Sequence, residues 1–225
     1  MSKNKCPSCG LVNAVTDETC RRCAEPLTGE SGETQTPDEV VIETKGKRTL
    51  VKRLLWIVGV TLILLFSFYI SLRVSSDELG YEQRQVVERS ISLLKQRGFN
   101  KEATMLGTFT AYRGTDNWWN KFIGHREAYA ATNFPFEVLT LYPEFFADSF
   151  DDYERAAILL HESCHLFGSG EGAALEHVWR NKRQLLWTED KYSQTKVWNN
   201  TKELTMNLVP KLFQCGPDGK SDCAP

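Results

Sequence analysis

The chain has 225 residues, 25% of them charged and 41% hydrophobic, with a formal net charge of −2. This is globular composition without the basic excess that tracks a phosphate backbone, so no nucleic-acid partner is expected. The character changes sharply along the chain, and residues 1–53, 54–72 and 73–225 read as three regions.

Residues 6–23 read CPSCGLVNAVTDETCRRC, two Cys-x-x-Cys pairs separated by ten residues. Tetrahedral zinc takes four thiolates from two tight knuckles, and this spacing supplies them in a module too small to have its own core. Cys6, Cys9, Cys20 and Cys23 are therefore expected to hold a structural zinc, whose binding would provide most of the folding energy. Disulfides are the competing reading, but the flanks of the membrane segment below imply a reducing compartment here. The CPSCG knuckle and the later CRRCAEPL resemble the short zinc ribbons at the N-termini of many bacterial membrane proteins. The resemblance covers about two dozen residues, 1–27, and implies a scaffold or interaction module, with a cytoplasmic protein as its expected partner.

Residues 28–53 follow as a flexible linker, rich in Thr, Glu, Gly and Pro and basic at its end. Residues 54–72, LLWIVGVTLILLFSFYISL, carry no charge, and a helix of that length spans about 28 Å at 1.5 Å per residue. One uncleaved transmembrane helix is expected, since more than fifty residues precede a run longer than a signal core. Lys45, Lys47, Arg48, Lys52 and Arg53 lie before it, whereas Arg73 is followed at once by serines and acids. The positive-inside bias then places the N-terminus in the cytoplasm and residues 73–225 outside it.

Residues 73–225 are enough for one ordinary domain. Ser76 or Asp77 is expected to cap a helix through YEQRQVVERSISLLKQR that stops at Gly98. ATMLGTFTAYR alternates loosely, as a strand does, and FEVLTLYPEFF holds a short β run ended by Pro143. DSFDDYERAAILLHESCHLFG predicts a helix over 151–167 with acidic caps and a glycine stop. Further helices are expected at 171–187 and 193–213, giving an α+β fold, strands before a run of helices.

Inside the 151–167 helix, His161 and His165 lie four residues apart on one face, so both can reach a metal at about 2.0–2.1 Å. Glu162 can reach a metal-bound water without being a ligand, take its proton and pass it to a leaving amine. Two imidazoles on the apolar side of a helix otherwise each need a partner, and a metal satisfies both. Residues 161–165 look like the zincin metallopeptidases. That resemblance implies an H-E-x-x-H helix beneath a small mixed sheet, His161 and His165 as ligands of a catalytic zinc, and Glu162 as the general base.

HESCHLFGSGE also resembles the metzincin pattern, but Glu171 stands where that family has His or Asp, and no Met-turn is visible. EGAALEHVW is closer to the compact glutamate zincins, which take the third ligand from a Glu followed by small residues. Glu171 is favoured on the Gly168 turn and Glu176 is the alternative; the two point in different directions on a helix. His177 is expected on a solvated face, and His125 at the surface. Tyr192 is a candidate oxyanion donor, with packing as the competing role. Cys164 reads as a buried apolar group, Cys215 and Cys223 could close a disulfide loop on the expected oxidising side, a pairing the sequence leaves open, and Trp118 and Trp119 read as core or cleft wall.

The expectation is thus a single-pass membrane protein with a zinc ribbon and an exported metallopeptidase, hydrolysing a peptide or protein substrate. By architecture, residues 138–142 are expected to be the edge strand on which that substrate pairs. The competing class is a non-catalytic, membrane-tethered zincin-like binding module, for which Glu162 is not required.

Overall fold

The computed structural model describes residues 4–27, 45–124, 128–216 and 221–224. The chain divides into two compact units, Met1–Leu54 and Leu55–Pro225. In the first, strands β1 (Asn4–Lys5) and β2 (Val12–Asn13) pair antiparallel and carry the first cysteine knuckle between them.

Helix α1 runs Lys45–Val74, and its stretch Thr49–Val74 is long and apolar enough to cross a membrane. Most of its apolar side chains are uncovered, Trp56 being 71% exposed and Phe66 65%, while Leu72 near its end is buried. Where a flexible linker is expected to 53, residues 45–53 are helical: Lys, Arg and Leu are good helix formers and extend the apolar helix without needing hydrocarbon themselves. The remainder of that linker, 28–44, lies outside the described residues.

The second unit is mixed α+β. After α1 come α2 (Tyr81–Gln96), α3 (Asn100–Thr104) with a π-helical turn (Met105–Phe109), β3 (Ala111–Arg113) and α4 (Trp118–Ile123). There follow β4 (Ala130–Asn133), β5 (Val138–Leu141), α5 (Pro143–Ala147), α6 (Asp152–Leu166), α7 (Glu171–Asn181), α8 (Glu189–Tyr192) and α9 (Lys196–Leu208). The sheet has the order β3-β5-β4, with β3 parallel and β4 antiparallel to β5.

Two local expectations are corrected. Gly80, not Ser76 or Asp77, is the N-cap of α2, and its N–H donates to the Gln83 side chain at 3.0 Å. Ser76 instead turns back to the Leu72 carbonyl at 2.8 Å, closing α1. Of ATMLGTFTAYR only Ala111–Arg113 is a strand. The preceding residues stay helical because Ala103 and Leu106 bury one face, while Thr104 and Thr110 bond back to the carbonyls of Asn100 and Met105.

Helix α6 is the spine of the domain, packing on α2, α7 and β4. Residues Ala156 to Leu160 are all buried, so α6 is covered on nearly every side. Asp151 caps it, accepting from the Tyr153 and Glu154 N–H groups at 3.0 and 3.2 Å. Glu154, itself fully buried, accepts from Phe150 N–H at 2.7 Å, from the Trp187 indole at 3.4 Å and from Thr195, so its charge sits satisfied at a helix N-terminus. Trp179 of α7 packs with Trp187, Trp198 and Phe213 from farther along the chain into an aromatic core. Helix α7 ends at Asn181, short of the expected 187, and α9 ends at Leu208 because Pro210 opens a separate 3-10 turn. Cys215 and Cys223 form a disulfide.

Candidate metal centres

Around the first centre, Cys6, Cys9, Cys20 and Cys23 bring their Sγ atoms within 4.8 Å of one another. Separations are 3.6 Å for Cys6–Cys23, 3.5 Å for Cys9–Cys20 and 3.6 Å for Cys9–Cys23. A tetrahedral ion with sulfur at about 2.3 Å has ligand edges of about 3.8 Å, so the four sulfurs fit one metal ion. The knuckles are copies of each other: Gly10 N–H donates to the Cys6 carbonyl and Ala24 N–H to that of Cys20, both at 2.9 Å. Both need a left-handed residue after the second cysteine, Gly10 at φ +73° and Ala24 at φ +59°. Asn13 ties them, accepting from Arg21 N–H at 3.1 Å and donating to the Leu11 carbonyl at 3.1 Å. The Arg22 and Cys23 N–H groups push the Cys20 thiol down to about 6, favouring the thiolate a metal requires.

The second centre lies in a cleft of about 730 Å³ walled by β4, α6, the start of α7 and α9. His161 and His165 emerge from adjacent turns of α6 with their Nε2 atoms 3.0 Å apart. Glu171, the first residue of α7, closes the triangle, its carboxylate 3.4 Å from His161 Nε2 and 3.1 Å from His165 Nε2. Each imidazole meets a different oxygen of Glu171, Oε1 for His161 and Oε2 for His165, and one ligand atom from each of the three residues lies within 4.8 Å of the others, a spacing from which they could hold one metal ion. The chain reverses between the helices through a Schellman turn. Ser169 N–H bonds the Cys164 carbonyl at 2.9 Å and Gly168 N–H that of His165 at 2.8 Å, with Gly168 at φ +80°.

That turn also sets the chemistry of a ligand. The Ser169 carbonyl, which can only accept, lies 2.9 Å from His165 Nδ1, so Nδ1 carries a proton and Nε2 faces the triangle. Without a metal, the hydrogen bond to Glu171 raises His165 to about 9, and the bonds from His161 and His165 hold Glu171 well below the carboxylate range. Glu162 lines the same cleft, 6% exposed, and Thr132 Oγ1 on β4 donates to its Oε2 at 2.7 Å. Thr132 has no signal in the sequence: it arrives from 30 residues upstream through strand pairing.

The other expected positions are separated from this triangle. Glu176 turns to Arg180 and Lys211, at 2.8 and 3.0 Å. His177 faces Glu102 at 3.7 Å, and the Tyr192 hydroxyl is spent on Asp151 at the far end of α6. Cys164 is buried, and burial raises its thiol to about 11. His125 lies outside the described residues. Residues 138–142 are not an edge strand: β5 is central, β3 and β4 are the two edges, and β4 is the edge that lines the cleft. The residues VLTL are all buried and so read as a strand, whereas the short AATN of β4, poor in β-branched residues, gives no comparable signal. No protein-family model, curated protein or solved structure matches the chain.

Proposed function

We propose that this chain is a membrane-anchored zinc metallopeptidase of the zincin type, with zinc at His161, His165 and Glu171 and a structural zinc at the four cysteines. The observation that carries this reading is the meeting of three ligand atoms from two helices in a cleft where Glu162 is buried beside them. Zinc bound there supplies Lewis acidity, acidifying water and polarising a carbonyl. The remaining work belongs to the chain. Glu162 accepts a proton from the attacking water on one carboxylate oxygen and delivers it to the leaving amine, while Thr132 keeps the other oxygen in place. Among the described residues β4 pairs only with β5, and Ala130, Ala131 and Thr132 line the cleft. An extended peptide can add to that free edge and lie across the metal ligands.

The apolar and largely uncovered Thr49–Val74 stretch supports the anchor, and the basic residues before it support a cytoplasmic ribbon and an exported catalytic unit. A non-catalytic binding module is the rival reading, and it needs neither Glu162 nor its threonine. The test is zinc content together with hydrolysis of a mixed peptide pool by the full chain, wild type against Glu162→Gln. Wild type should cleave, and the variant should hold equal zinc with a rate lower by about 10²–10⁴-fold. Equal cleavage by both, or none by zinc-loaded wild type, overturns the assignment.

A further inference from the structure

A row of aromatic side chains leaves the apolar helix and runs onto the face of the domain beside the cleft. Phe68, on α1, packs edge-on against Trp118 and Trp119, with centroids 5.4 and 5.9 Å away, and against Phe136 at 4.9 Å. Trp118 Nε1 donates to Ser71 Oγ at 3.1 Å and Trp118 N–H to Ser75 Oγ at 3.2 Å, so α4 is fastened to the last turns of α1. Its other side is open: Trp118 is 41% exposed, Phe122 78% and Ile123 55%, with Lys121 exposed among them. The contrast within α4 is sharp, because Asn120 is fully buried and held by Asn133 and Thr140 at 2.7 and 3.2 Å.

We propose that α4 is a second membrane contact, its Trp118, Trp119, Phe122 and Ile123 lying in the interfacial layer of the bilayer that α1 enters. The inference rests on the membrane-anchor reading of α1. Phe68 lies four residues before the end of the apolar run, which is about 6 Å along a helix. Side chains packed against Phe68 and Ser71 therefore sit at the depth where tryptophan is enriched, between hydrocarbon and headgroups. The patch is continuous with the helix that specifies its occupant, and a lysine among apolar residues is the arrangement that lets an ammonium reach the headgroups. Thr132 borders both a groove beside this patch, of about 180 Å³, and the metal cleft, so the edge strand separates the membrane contact from the catalytic wall.

The full chain in phosphatidylcholine vesicles, with or without bromine near the headgroup end of the acyl chains, tests this. Bromine quenches tryptophan on contact; Trp179, Trp187 and Trp198 are 0–1% exposed and serve as the unquenched background. In a Trp56→Phe variant the emission should still fall, by about a fifth or more, because two of the five remaining tryptophans face lipid. Adding Trp118→Phe and Trp119→Phe should abolish that fall. If the Trp56→Phe variant is quenched no more than the triple variant, while Trp118→Phe/Trp119→Phe alone is still quenched through Trp56, the α4 contact is overturned and the anchor stands. Absence of quenching at Trp56 as well overturns both.

Discussion

Thr132 is the residue whose removal separates position from chemistry at the cleft. Its hydroxyl fixes Glu162 without touching the metal ligands, and a hydrogen bond to a charged group is worth about 1.5–3 kcal/mol. Thr132→Val keeps the shape of the side chain and the strand. On the proposed mechanism it should lower kcat about tenfold or more, with KM and zinc content near wild type, as steady-state kinetics and metal analysis would show. On the proposed function, protons compete with the metal at the same residues. With His165 raised to about 9 in the metal-free chain, zinc binding at pH 7 should release about one proton from it, measurable by calorimetry in buffers of different ionisation enthalpy. The metal-free fold should lose stability in two directions. His165 lies above its ordinary 6.5, so its contribution is complete below that pH and disappears as pH rises through about 9. Glu171 is held below its ordinary 4.5, so its contribution is present above that pH and disappears as pH falls through the depressed value. Chelator-treated chain should therefore melt highest between about pH 4.5 and 6.5, so far as these two groups decide.

At the scale of elements, the turn between α6 and α7 does more than end a helix. Gly168 is left-handed, and a Cβ there would meet the Phe134 ring at 3.4 Å. Gly168→Ala should cost about 1–2 kcal/mol in thermal melts, through backbone conformation. By shifting the Ser169 carbonyl from His165 it should also weaken zinc binding about tenfold or more in chelator competition. The α6 helix, its Asp151 cap, the histidine pair and the Gly168 turn all depend on neighbours within one or two turns, so periodicity and capping chemistry reveal them. The role of Thr132 and the edge position of β4 depend on which strand pairs with which, and strand order is not written in any local window. Residues 103–110 misled because threonines alternating with apolar residues suit a strand, while burial of Ala103 and Leu106 favours a helix. The disulfide was open in the sequence, which offers two cysteines near each other but not their geometry, and the fate of Glu176 was not legible, since its partner Lys211 lies 35 positions away.

At the scale of the whole second unit, α4 and β4 are joined by a buried chain of amides. Asn117 Nδ2 donates to Asn133 Oδ1 at 2.7 Å, Asn133 Nδ2 to Asn120 Oδ1 at 2.7 Å, and Asn120 Nδ2 to the Thr140 hydroxyl at 3.2 Å. Asn117, Asn120 and Thr140 are fully buried, and each lost partner in such a network leaves a polar group stranded, so the two elements move as one body. One end of that body is fastened to α1 and the other lines the cleft, which, on the proposed function, makes this unit a ruler. A membrane-protein stem offered to it should be cut at a set spacing from the bilayer, largely regardless of its sequence. Lengthening the stem by several residues on its membrane side, in vesicles holding both proteins, should move the scissile bond toward the bilayer in residue number by that same count, read by mass spectrometry of the released fragment.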